Sequence, residues 1–201
     1  MASRRDYHHG DLRRALLDAA LALFAERGRF DFTMRELARA AGVTHNAPYR
    51  HFEDRWALLD ALAAEGFERL RERSLAAASP HARDPRTRVV RLGEAYVDFA
   101  ADHPDHFRLM FLRPLEDASP ELAKAARASF ALLEGAIADA AKAGQLRRGL
   151  SEKDVTLTAW SLVHGVASLV VGGQLPKKAL HARIASVTEI FTGGAFARGD
   201  D

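Results

Sequence analysis

Residues 33–55, TMRELARAAGVTHNAPYRHFEDR, restrict the fold more than any other stretch of the chain. Thr33 followed three residues later by Glu36 is a capping box, which predicts a helix starting at Thr33. Leu37, Ala38 and Ala41 give that helix one apolar face. Gly42 stops it, because glycine enters the left-handed region at a helix end without steric cost. Val43 then points to the core, Thr44 is expected to cap a second short helix, and Phe52 to close it with an inward anchor. Two helices joined by a tight turn containing glycine form a helix-turn-helix. The second helix would present Thr44, His45, Asn46, Tyr49, Arg50 and His51, side chains able to donate to phosphates or to read base edges. Pro48 removes a backbone donor and restrains Ala47, so this element should act as a rigid first turn inserted by its N-terminal end.

The block from Phe30 to Leu59, with AAGVTHNAPYRHFEDRWALL at its centre, resembles the N-terminal DNA-binding domain of TetR-family transcriptional regulators. Gly42 stands at the turn, Thr44 at the hydroxyl cap, and Tyr49 at the family tyrosine. His51-Phe52 matches the aromatic or His before Phe, and Arg55 the basic residue opening the next helix. The resemblance implies that Thr33, Tyr49, His51 and Arg55 hold phosphate, that His45 and Asn46 face base edges, and that Arg35 reaches either. Arg4 and Arg5, on a polar arm before the first helix, would meet backbone phosphate or a minor groove. Farther along, Trp160, His164 and Gly165 form a W-x-x-x-H-G run that resembles the C-terminal domain of a subset of the family. The family resemblance implies a homodimer on a palindromic operator in double-stranded DNA, with repression as the default.

Charge alone would not have announced a nucleic-acid partner: the net charge is +2, although the sequence pI is 9.1. There are no cysteines, which rules out disulfides, a thiolate nucleophile and a Cys-based zinc site, and agrees with a cytoplasmic setting. The first ten residues carry no apolar signal-peptide core. The most apolar stretch, residues 159–173, is interrupted by Ser161, His164, Gly165 and Ser168, and is expected to be a buried helix rather than a membrane span.

Taken in order, caps and breakers predict about nine helices. The first starts near Asp11 and stops at Gly28, with Leu12, Leu16, Ala19 and Leu23 inward. The fourth follows Asp54 and runs to about Ala78, long enough to join two domains. Asp84-Pro85 opens the fifth, Pro104 the sixth, Ser119-Pro120 the seventh, Ser151 the eighth and Pro176 the ninth, which Gly193-Gly194 should end before a loose tail. His103 and His106 have the spacing of two metal ligands, but no third ligand is apparent and packing is the preferred reading.

The expectation is an all-α chain: a three-helix helix-turn-helix DNA-binding domain over 1–55 and a helical ligand-binding and dimerisation domain over 56–201. Tyr96, Phe99, His103, Phe107, Met110, Phe111, Phe130, Leu133, Trp160 and His164 should line a pocket for a small apolar or aromatic effector, since such pockets combine apolar walls with a few polar groups. The small stripe Ser161, Gly165 and Ser168, with Leu180, Ile184, Val187 and Phe191 on the last helix, should form the dimer interface. No nucleophile elbow, P-loop, H-E-x-x-H or dinucleotide-binding turn is present, so no catalytic residue, metal or cofactor is expected.

Overall fold

A computed structural model describes residues 9–176, 178 and 180–197. Arg4, Arg5 and the tail beyond 197 lie outside these residues. Among them the chain forms eight α-helices: α1 His9–Arg27, α2 Met34–Ala40, α3 Arg55–Ala78, α4 Pro85–Asp102, α5 Pro104–Met110, α6 Pro120–Lys142, α7 Glu152–Val171 and α8 Leu180–Ala195. Short 3-10 turns occur at Pro48–Arg50, Ser79–His81 and Leu115–Asp117, and a single antiparallel bridge joins Leu146 to Phe196.

Most helix ends fall where the caps place them. Thr33 makes the capping box with Glu36, Asp54 accepts from the Ala57 amide, Asp84 from Thr87, Ser119 from Leu122 and Ser151 from Asp154. Gly42 has φ +68°, and the amides of Gly42 and Val43 bond to the carbonyls of Arg39 and Ala38. That pair of bonds is the Schellman arrangement, and only a residue without a Cβ adopts its φ cheaply.

Three expectations about elements are corrected. The second helix of the helix-turn-helix is not an α-helix but the 3-10 turn Pro48–Arg50, with no side-chain cap, so Thr44 does not cap it. Pro48 supplies no N–H to reach Thr44, and the surviving bonds from Ala47, Arg50 and His51 are of the tighter three-residue type. Pro176 does not start the last helix, and Gly193-Gly194 does not end it: α8 begins at Leu180 and continues to Ala195. Finally, α7 is not simply a buried helix. It starts at Glu152, and by length and composition alone its 20 residues could cross a membrane, with 39% of its most apolar window buried. Its inner face, with Val155, Ala159, Ala167 and Val170, packs into the core, while Leu157, Leu162 and Leu169 remain exposed.

α3 organises the molecule. At about 1.5 Å per residue its 24 residues span roughly 36 Å. Leu58, Leu59 and Leu62 share one buried cluster with Leu16 and Phe32 of the N-terminal segment and with Leu37 of α2. Farther along, Phe67 and Leu70 belong to the same cluster together with Leu109 and Met110 of α5 and Leu122 of α6. α4 is the second hub, packing against α3, α6, α7 and α8. Two further clusters lie around it: Val89 and Leu92 with Ile137 and Phe191, and Val97 with Phe107, Ala167 and Ile184.

Candidate nucleic-acid interface and ligand cavity

The turn between α2 and α3 is a rigid presentation of exposed polar groups. Ala47 and Pro48 are buried and Phe52 is anchored in the core beneath Arg13, whose guanidinium lies 5.4 Å from the ring centroid. With the backbone fixed at those points, Thr44, His45, Asn46, Tyr49 and Arg50 all face solvent. Arg35 and Arg39 of α2 share a shallow cleft with Val43 and His45, which places two cations beside the turn. Arg39 was missed by the sequence reading, although its position four residues after Arg35 puts it on the same helix face. His51 is half-buried at the end of the turn. Arg55 is half-buried, with its guanidinium 5.3 Å from the Trp56 ring centroid.

Thr33 is more committed than expected. Its amide donates to Glu36 Oε2 at 2.7 Å, its hydroxyl donates to the same oxygen at 2.9 Å, and its Oγ1 accepts from the Glu36 amide at 3.2 Å. Arg27 adds an ion pair to Glu36 at 2.9 Å. The Thr33 backbone donor, followed by Arg27, holds the Glu36 carboxyl at a pKa of about 2. A phosphate could use Thr33 only by replacing Glu36.

Some distance along α3, a cavity of about 920 Å³ opens between α3, α4, α6, α7, α8 and the segment after α5. Such a volume lies within the range of about 300–1,000 Å³ usual for small-molecule sites. Tyr96, Met110, Phe111, Phe130, Leu133 and Trp160 are on its wall, as expected. Four expected residues are not. Phe99 and Phe107 are core side chains, because α4 and α5 turn those positions toward α3 and α7 rather than toward the opening. His103 ends α4 with its ring against Phe99 and His106, 5.1 and 6.2 Å between centroids. His164 stands behind the wall, bonded through Nδ1 to the Tyr96 hydroxyl at 2.7 Å and packed by Phe107, Phe111 and Trp160. Burial lowers the His164 pKa and raises that of Tyr96, with a hydrogen bond from Trp160 partly offsetting the latter. Both rings are therefore neutral near pH 7, and they stiffen an aromatic wall.

The dimer expectation is also revised. Leu180, Ile184 and Phe191 are buried in the chain's own core, and Val187 and Phe191 line the cavity. α8 lies against α4 and α7, so its most regular apolar stripe serves the inside of the subunit. Ser161, Gly165 and Ser168 are exposed, flanked by Leu157, Leu162 and Leu169, and Ile190 is a large exposed apolar residue of α8.

The sequence reading missed Arg113 and Arg127 at the cavity. Arg113 sits between helices, where no periodicity marks it. Among the described residues no cluster of three or more His, Cys, Asp or Glu has metal-ligand spacing.

Comparison with known proteins places both parts of the molecule. The sequence model for bacterial regulatory proteins of the tetR family matches residues 16–62, and that for the tetracyclin repressor-like C-terminal domain matches residues 89–190. Tetracycline repressor protein class D from Escherichia coli is 34% identical over 110 residues, 55% of this chain and 44% of that protein. The HTH-type transcriptional repressor Rv1474c from Mycobacterium tuberculosis is 43% identical over 63 residues, 31% of this chain and 34% of that protein. The chain thus spans less than half the length of these curated relatives. A solved structure from Rhodococcus sp. RHA1, a protein of unknown function, is 35% identical, covers 96% of this chain and 100% of its own, and superimposes with a TM-score of 0.82.

Proposed function

The chain belongs to the tetR family of bacterial regulatory proteins, and from that premise we propose that it is a cytoplasmic, homodimeric, sequence-specific DNA-binding repressor, released from a palindromic operator by a small apolar or aromatic effector. In this reading residues 1–55 contact DNA, and residues 56–201 bind the effector and dimerise.

The observation that carries the reading is the pairing of a solvent-facing polar turn just before α3 with a mostly apolar cavity of about 920 Å³ farther along that helix. A purely architectural DNA-binding protein has no need of such a cavity, and filling it would favour folding. Operator half-sites on one face of DNA lie about 34–36 Å apart or multiples of that, so two reading heads must keep a set separation. An effector that favours one position of α3 over another changes that separation, and it acts only through its unequal affinity for the two states. The exposed small stripe of α7, flanked by leucines, supports a two-fold contact in which two helices approach closely.

Selection of bound duplexes from a random DNA pool tests the DNA-binding part. A palindromic consensus is the expected outcome, and recovery of no enriched sequence would overturn it. Gel-shift titration of the selected operator against a library of apolar small molecules tests the release. The expected effector raises the melting temperature and weakens operator binding together.

A further inference from the structure

The cavity is mostly apolar, and at one place on its wall Arg113 of the α5–α6 connection meets the root of α3. Arg113 Nη2 donates to Oδ2 of Asp60, a carboxylate only 4% exposed, and the same oxygen accepts from the Ser119 amide at 2.7 Å. The guanidinium lies 5.1 Å from the Trp56 ring centroid. Its Nε is buried and has no hydrogen-bond partner among the described residues. Leaving a donor of a charged group buried and unmet is costly, and a guanidinium is a planar fork suited to carboxylate oxygens. One neighbour, Asp60, thus leaves this fork incompletely used. A second cation, Arg127, lines the cavity from α6, exposed and without an ion-pair partner among the described residues. Among the described residues Glu134 is the only carboxylate on the wall.

We propose that the effector is an amphiphile with one acidic end, an apolar monocarboxylate whose body fills the cavity and whose carboxylate binds Arg113 in competition with Asp60. This rests on the effector-responsive reading above and names the chemistry of that same site. Asp60 lies on α3 only five residues after Arg55, where the reading head joins the helix. A ligand that draws Arg113 from Asp60 loosens the tie between the cavity and the root of α3, together with the hold on the Ser119 amide that begins α6. The acid group is then the part of the ligand that distinguishes the two states, and the apolar body supplies affinity.

The test is calorimetric titration of the full chain with decanoate, decanol and decylamine. Decanoate should bind about tenfold or more tighter than decanol, the order expected for charge-assisted hydrogen bonds to a guanidinium, with decylamine the weakest. Arg113→Gln should bring decanoate to the affinity of decanol. Asp60→Asn should tighten decanoate several-fold and leave decanol unchanged, because the competitor is gone. A purely structural Asp60–Arg113 pair would instead weaken both probes alike in either variant. Should Arg113→Gln fail to fold, the neutral pair in the Asp60→Asn, Arg113→Gln double variant keeps the contact and should show the same loss of discrimination. Equal binding of decanoate and decanol by the wild type overturns the acidic-end proposal and leaves the apolar-effector reading standing. Tightest binding of decylamine overturns it in favour of Glu134 as anchor. No binding of any probe overturns this proposal and counts against the effector reading as well.

Discussion

Gly165 lies at the centre of the exposed face of α7, and replacing it with arginine separates the fold of the subunit from its assembly. A Cβ built on Gly165 meets no atom within 4 Å, so the subunit has room for the side chain. Within a helix, exchanging glycine for arginine also favours the helical backbone by about 0.7–1 kcal/mol. The proposed two-fold contact has no such room. Leu157 is 57% exposed, Leu162 38%, Leu169 48% and Ile190 76%, the equivalent of about two whole apolar side chains on each protomer. Withdrawing about four such side chains from water on dimerisation contributes roughly 6–12 kcal/mol. Association costs roughly 4–15 kcal/mol in lost freedom, so the dimer depends on close packing along Ser161, Gly165 and Ser168. An arginine at the middle of that stripe holds the helices apart and should tip the balance to monomer. Light scattering at micromolar concentration should report a dimer for the wild type and for Gly165→Ala, and a monomer for Gly165→Arg. Circular dichroism should show the same helix content in all three. The melting temperature should rise with protein concentration for the wild type and become independent of it in Gly165→Arg, as mass action requires. A monomeric wild type, or a Gly165→Arg chain that remains dimeric, refutes the reasoning.

Asn46→Ala should relax base preference at one position by roughly 1–3 kcal/mol, whereas Tyr49→Phe should weaken all sequences alike, both read by competition gel shifts against variant operators. For Glu36, the pKa falls from an ordinary 4.5 to about 2 in the folded chain, so its stabilising contribution is complete above about 4.5 and is lost as pH drops toward 2. Melting temperatures followed through that window should therefore fall less steeply for Glu36→Gln than for the wild type. Tyr96→Phe leaves His164 Nδ1 without its 2.7 Å partner and should cost about 1–2 kcal/mol, a fall of roughly 2–8 °C in the melting temperature for a chain of this size. Phe111→Trp, on the cavity wall, should blunt effector-induced release in gel shifts while operator affinity without effector stays unchanged.

Much of this protein was written into local residue choices. Capping needs only neighbours in sequence, so Thr33, Asp54, Asp84, Ser119 and Ser151 marked helix starts that the structure keeps. Glycine at a left-handed turn is equally local, and Gly42 ended α2 where it was expected to. The family pattern around Tyr49 and Phe52 identified the tetR-family N-terminal segment even though Pro48 contracts the second helix of its helix-turn-helix to a single 3-10 turn. Periodicity told which helices are amphipathic but not what each apolar stripe would face. The regular stripe of α8 could have met a second copy of the chain, and only its packing beside α4 and α7 turned Leu180, Ile184 and Phe191 inward. The same holds for Phe99 and His164, which have the right composition for a cavity wall but lie within or behind it. Arg113 shows the limit most clearly. It belongs to an irregular connection, and its partner Asp60 is distant in sequence, so their meeting depends on how α3 and α6 pack. Caps, breakers and helix faces arise from interactions within a few residues, and the sequence determines them. The cavity and its charged side chains arise where six segments converge, and only the tertiary structure decides which side chains that convergence leaves facing open space.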